Sequence, residues 1–111
     1  MSELELFARL IQCEAGGEGD NGMRAVASVV MNRVRSGRYG SIMAVIYAPG
    51  QFGVVSNGSI GRYLSNPKGS CRQAAQEAIN GYTNIGGYTH FKNARLGAGE
   101  NSIVIGNHVF Y

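Results

Sequence analysis

Between Leu4 and Cys13 the apolar residues fall on two adjacent helical stripes, Leu4, Phe7 and Ile11 beside Leu6, Leu10 and Cys13. That spacing predicts a helix with one broad buried face. Ser2, three residues before Glu5, is a capping-box pattern that starts it, and Gly16 and Gly17 stop it at about Glu14. Asp20 is placed to cap a second helix, whose inner face is Met23, Val26, Ala27, Val30 and Val34 and which ends near Ser36 and Gly37. A shorter helix over Ile42 to Tyr47 is closed by Pro49-Gly50, and Gln51 to Tyr63 reads as an irregular, glycine-punctuated loop. Asn66 as cap and Pro67 at the first helical position open a helix over Lys68 to Asn80. Its face of small residues, Cys71, Ala74, Ala75 and Ala78, suits close packing.

Beyond Gly81 the period changes. Tyr88-Thr89-His90-Phe91 and Ile103-Val104-Ile105 are β-prone and are separated by the polar segment from Asn93 to Ser102, so an antiparallel ribbon of these two strands is expected. The fold class is α+β, mainly helical with a small antiparallel sheet near the C-terminus. A length of 111 residues fits one domain, residues 1–111, with a single core. With 44% hydrophobic and 15% charged residues the chain is globular in composition, and it has no apolar run of about eighteen residues, so no membrane insertion is expected. The acidic opening Met1-Ser2-Glu3-Leu4-Glu5 has neither the basic start nor the apolar centre of a secretory signal.

A net charge of +3 favours a polyanionic partner, with nucleic acid and bacterial wall as the two classes to weigh. The arginines are scattered, with Arg33, Arg35 and Arg38 the one cluster, and no nucleic-acid-binding signature accompanies them. That cluster reads as a solvated helix face, and no nucleic-acid partner is expected. Cys13 and Cys71 are either one disulfide or two reduced, buried thiols. With His90 and His108 they lack the paired short spacings of a metal site, so no metal and no cofactor is implied. Gly17-Glu18-Gly19-Asp20-Asn21-Gly22 matches G-x-G-x-x-G literally, but it follows a helix and sets two acids where phosphates would sit. These glycines are a helix-to-helix turn.

Candidate chemistry narrows by scarcity. Of the seven acids, Glu3 and Glu5 suit a first helical turn, Asp20 a cap and Glu77 an alanine-rich helix. Glu14 and Glu18 stand out around the glycine stop. A carboxyl at a helix end, buried against apolar walls, is a proton donor near neutral pH.

In order along nearly the whole chain, Leu6-Phe7-Ala8-Arg9-Leu10-Ile11, Glu14-Ala15, Gly17-Glu18, Gly22-Met23, the run Val26 to Val34, Val45-Ile46-Tyr47, Gln51-Phe52, Ala78 to Gly81 and Gly106 to Phe110 resemble the SleB/CwlJ family of spore cortex-lytic and related cell-wall hydrolases. The resemblance implies a lysozyme-like catalytic domain that cuts peptidoglycan glycan strands between N-acetylmuramic acid and N-acetylglucosamine, typically as a lytic transglycosylase. It carries the family's catalytic glutamate onto Glu14. One glutamate then serves as acid and afterwards as base. A two-carboxylate muramidase with Glu18 as partner is the alternative, and otherwise Glu18 orients Glu14 or its loop. Stacking and hydrogen bonding to sugars suit Gln51, Phe52, Tyr88, Phe91, Asn107 and His108, with core packing the competing role for the aromatics. Lys92 stands where the family often has an aromatic, and Gly97 to Ser102 is short and glycine-rich. The implied setting is spore cortex or coat, or cell wall, with targeting by surface charge or by a separate targeting protein. Two other classes stand beside this one: a wall-binding module without catalysis, and a small basic nucleic-acid-binding domain.

Overall fold

The structure, a computed structural model, describes residues 2–58, 60 and 67–111. Helix α1 (Glu3–Ala15) begins where Ser2 Oγ accepts from the Glu5 N–H at 3.1 Å. The reciprocal half of a capping box is not made; the Glu5 carboxylate pairs with Arg72 instead, at 3.0 Å. Leu6, Phe7, Ala8, Leu10 and Ile11 are all buried, so α1 is enclosed on most sides rather than along one stripe.

Helix α2 (Gly19–Arg35) buries Met23, Val26, Ala27 and Val30 as the pattern requires, and Ala25, Val29 and Met31 besides. Its N-cap is Glu18, not Asp20, and no side chain caps it. Asp20 lies in the first turn, where an acid favours the helix dipole without closing the end. Helix α3 (Ile42–Ile46) is capped by Ser41, whose hydroxyl accepts from the Ala44 N–H. Part of the expected loop after Gln51 winds into a single helical turn, α4 (Gly53–Ser56), anchored by buried Phe52 at its N-cap.

Helix α5 (Gly69–Ile79) lays Cys71, Ala74, Ala75 and Ala78 against α1 and α2, all four buried. Small residues let three helices approach closely. Lys68 is the N-cap, so Pro67 precedes the helix instead of opening it; the expected cap Asn66 lies outside the described residues, as does part of the loop up to Tyr63.

Three short antiparallel strands, β1 (Phe91–Asn93), β2 (Ile103–Ile105) and β3 (His108–Phe110), complete the fold in the order β1-β3-β2. The expected direct pairing of the first two β-prone segments does not occur. A two-residue turn, Gly106-Asn107, folds β3 back onto β2 and brings the buried Val109 and Phe110 between the outer strands. The first strand also starts at Phe91 rather than Tyr88. Carbonyls of Tyr88 and Thr89 are taken by side chains of α2, Asn32 Nδ2 at 2.8 Å and Arg33 Nε at 2.7 Å.

Those contacts correct the reading of the arginine cluster as a solvated face for Arg33 alone. Arg33 donates to Thr89 O and is half-buried; Arg35 Nη2 donates to Ala78 O at 2.7 Å, but Arg35 and Arg38 are both exposed, as a solvated face requires. Cys13 and Cys71 are both free thiols, and Cys71 Sγ lies 3.4 Å from Met23 Sδ in the core. No helix among the described residues is long and apolar enough to cross a membrane.

Candidate active site

The last turn of α1, the loop into α2 and the β2–β3 turn converge on an open cleft of about 490 Å³. Gln12, Glu14, Glu18, Lys68, Asn107 and His108 line it. Local sequence explains how α1 delivers its end here. A methyl group on Gly16 would collide with the Gln12 side-chain amide and main-chain carbonyl, so glycine is required for the chain to leave the helix along this path. Gln12 Oε1 accepts from the Lys68 N–H at 3.1 Å, and Lys68 Nζ donates to Gly16 O at 2.8 Å. One wall of the cleft is thereby locked to the start of α5.

Glu14 is half-buried in this cleft and makes no hydrogen bond or ion pair with any described residue. Burial alone raises its carboxyl above the ordinary value of 4.5, since no donor compensates for lost water. The neighbouring Cys13 thiol is also raised, by burial first and then by the charge of Glu14. A thiol shifted in that direction is a poor nucleophile at neutral pH.

Glu18 has the opposite environment. Its Oε1 accepts from the Asn107 main-chain N–H at 2.9 Å and its Oε2 from Asn107 Nδ2 at 3.0 Å. His108 Nδ1 sits 3.4 Å from the same Oε1, within ion-pair reach but without hydrogen-bond alignment. Gly106, at φ +59, opens the turn in a conformation that side chains resist, and a Cβ there would stand 3.1 Å from Glu18 Oε1. Glu18 therefore ties the entrance of α2 to the tip of the hairpin, with both oxygens engaged.

The expected site residues separate into two groups. Glu14, Glu18, Asn107 and His108 share the cleft. Phe91 does not line the cleft itself; it meets the His108 ring edge-on at 5.2 Å and stacks on Phe110 at 5.8 Å, and so supports the imidazole. Phe52 is 3% exposed in the core, Tyr88 packs against the same core, and exposed Gln51 borders a separate hollow. For Phe52 core packing won over ligand stacking, whereas Tyr88 and Phe91 are half-buried against that core. Gln12 and Lys68 are cleft residues that the pattern did not single out. A polar Gln12 between Ile11 and Cys13 was the one available signal for the first; for Lys68 there was none.

Among the described residues no three His, Cys, Asp or Glu side chains gather as a metal would need. One large unpartnered carboxyl, a second carboxyl fixed by amides and an imidazole backed by two phenylalanines are what the cleft presents. Such a set can donate one proton and take it back, and can hold polar ligand groups.

Comparison with known proteins places this geometry. The sequence model of the cell wall hydrolase family matches residues 17–111, a stretch that contains Glu18, Asn107 and His108 and begins just after Glu14. A spore cortex-lytic enzyme of Halalkalibacterium halodurans is 34% identical over 83% of this chain and 27% of its own length. A cell wall hydrolase CwlJ of Bacillus subtilis is 34% identical over 72% of this chain and 58% of its own length. The chain thus spans about a quarter of the first relative and somewhat over half of the second. Among solved structures, the catalytic domain of the germination-specific lytic transglycosylase SleB of Bacillus anthracis superposes with a TM-score of 0.81 at 30% identity, over 97% of this chain and 92% of that one. The SleB catalytic domain of Bacillus cereus gives the same TM-score over 88% of its length. By the extent of these matches, the chain belongs to the cell wall hydrolase family.

Proposed function

We propose that residues 1–111 form a peptidoglycan-cleaving catalytic domain, acting as a lytic transglycosylase in which Glu14 is first general acid and then general base. The observation that carries this reading is a half-buried carboxyl with no partner among the described residues, raised by desolvation and lining the cleft. The description of the SleB neighbour as a lytic transglycosylase supports it.

In the first step the Glu14 proton passes to the oxygen between N-acetylmuramic acid and N-acetylglucosamine, and the C1–O bond breaks with its electron pair on that oxygen. The 6-hydroxyl of the same muramic residue then bonds to C1. Its proton goes to the Glu14 carboxylate, which restores the acid and leaves a 1,6-anhydro end. Glu18 and Asn107 fix the hairpin that closes the cleft, and Asn107 and His108 hold the glycan. A second carboxylate acting directly, as in a muramidase, would require Glu18 to be free of its two amide donors.

The setting that fits these relatives is the spore cortex, with vegetative wall as the broader case. The test is digestion of cortex and of vegetative wall followed by product mass analysis, with Glu14→Gln as control. Anhydromuramic ends, absent with Glu14→Gln, are the expected result. Reducing muramic ends would replace the transglycosylase by a hydrolase, and binding of wall without soluble fragments would leave only a wall-binding module.

A further inference from the structure

Arg33 carries a charge that none of the seven acidic side chains answers. Its Nε donates to Thr89 O at 2.7 Å, its guanidinium lies 5.4 Å from the Phe52 ring centre, and its buried Nη1 has no acceptor among the described residues. All seven acidic side chains are among those residues, and their ion pairs go elsewhere: Glu5 to Arg9 and Arg72, Glu77 to Arg24, Glu18 to His108. Burial works against the Arg33 charge, and the groups that favour it are the phenols of Tyr39 and Tyr111. A half-buried cation that no acidic side chain pairs with is an unmatched site for an anion.

Arg33 also lines a hollow of about 270 Å³, whose other walls include Ser36, Arg38, Tyr39, Gln51 and His90. Hydroxyls, an amide and a second, exposed arginine thus face one space. Its volume lies below the ~300–1,000 Å³ of a whole-ligand cleft, so it suits one end of a larger molecule.

We propose that this hollow binds a carboxylate at the end of a peptide that hangs from the wall glycan strand, while the strand itself lies in the Glu14 cleft. The proposal rests on the peptidoglycan reading given above. With its Nε given to Thr89 O, Arg33 keeps its terminal N–H groups for a carboxylate, exposed Arg38 adds a second donor, and the surrounding neutral donors suit the peptide's amide carbonyls. Arg33 is the half-buried cation of the pair and Arg38 the exposed one, so a single carboxylate matches the inner charge while the outer one stays in water. Strand β3 links the two places. His108 at its start borders the cleft, and Tyr111 just past its end exchanges main-chain hydrogen bonds with His90, at 2.9 and 3.0 Å. Three residues of strand span roughly 10 Å, a distance one polymer with its side branches bridges.

The probe is N-acetyl-D-alanyl-D-alanine, with its carboxylate free or amidated, titrated into the isotopically labelled chain. The free acid is expected to shift the amide resonances of Thr89 and His90 and to bind at least tenfold more tightly than the amide. Arg38→Ala is expected to weaken binding severalfold and Arg33→Lys about tenfold, with thermal unfolding confirming that each variant is folded. Equal binding of acid and amide, shifts confined to the Glu14 cleft, or tighter binding of inorganic phosphate than of the dipeptide would each overturn the site. Wall cleavage without dipeptide binding removes this site alone, whereas dipeptide binding without cleavage removes the enzymatic reading alone.

Discussion

Glu18 and Asn107, 89 residues apart in the chain, are joined by two hydrogen bonds that use both carboxylate oxygens. This one contact closes the cleft by fixing the hairpin tip over the helix entrance. The Glu18 side chain is 12% exposed while Asn107 is exposed, so its loss strips charged acceptors from a junction that is dry on one side only. Glu18→Ala is expected to cost about 1–3 kcal/mol in urea unfolding, and Asn107→Ala about 0.5–1.5 kcal/mol because the main-chain donor survives. The double variant should cost less than the sum, since both remove the same contact. Strict additivity would mean that the two residues stabilise the fold separately.

The environment of Glu14 sets a pH dependence of opposite sign to that of most carboxylates. Its folded pKa lies above the ordinary 4.5, so the native state holds this proton more tightly than the unfolded chain. The stabilisation is complete below about pH 4 and is lost as pH rises through the folded pKa. Glu14→Gln should therefore match the wild type in stability at pH 4 and exceed it at pH 7, while cleavage falls by about 10²–10⁴-fold or more. Denaturant melts at the two pH values check the first part. A variant less stable at pH 7 than the wild type would show that the carboxylate has a stabilising partner.

The two halves of this site were unequally legible in the sequence. Helical spacing located α1, α2 and α5 and the glycine stop that frees Glu14, because those signals are local. The order of the sheet depended on the Gly106-Asn107 turn, whose effect is to pair distant strands. Phe52 illustrates the limit more sharply: an aromatic suits a sugar face and a core equally well, and packing put this one in the core. Lys68 joins the cleft only because its chain end crosses α1, which no pattern in its neighbours announces.

Gly16 tests whether the shape of the helix end, rather than its flexibility, is what the cleft needs. Its backbone is at φ −59 and ψ −23, which alanine adopts freely, so any penalty comes from collision with Gln12. Gly16→Ala is expected to displace the Gln12 amide from Lys68, to cost about 1–3 kcal/mol and to lower wall cleavage out of proportion to the unfolded fraction. Gln12→Ala in the same background should recover part of the loss, because it removes the amide that collides. If the double variant is no more stable than Gly16→Ala, the main-chain carbonyl of Gln12 is the obstacle instead.

Phe52 separates core from subsite. With 3% exposure, a ring 6.4 Å from that of Phe91 and the Arg33 guanidinium over it, this side chain belongs to the core and does not line the Glu14 cleft. Phe52→Leu keeps most of the volume and should cost about 1.5 kcal/mol or less, whereas Phe52→Ala leaves a cavity and costs about 3–5 kcal/mol. Measured below its melting range, Phe52→Leu should retain the kcat and KM of the wild type on soluble glycan strands. A rise in KM at unchanged stability would instead put the ring in contact with the sugar and move the cleft's boundary toward α4.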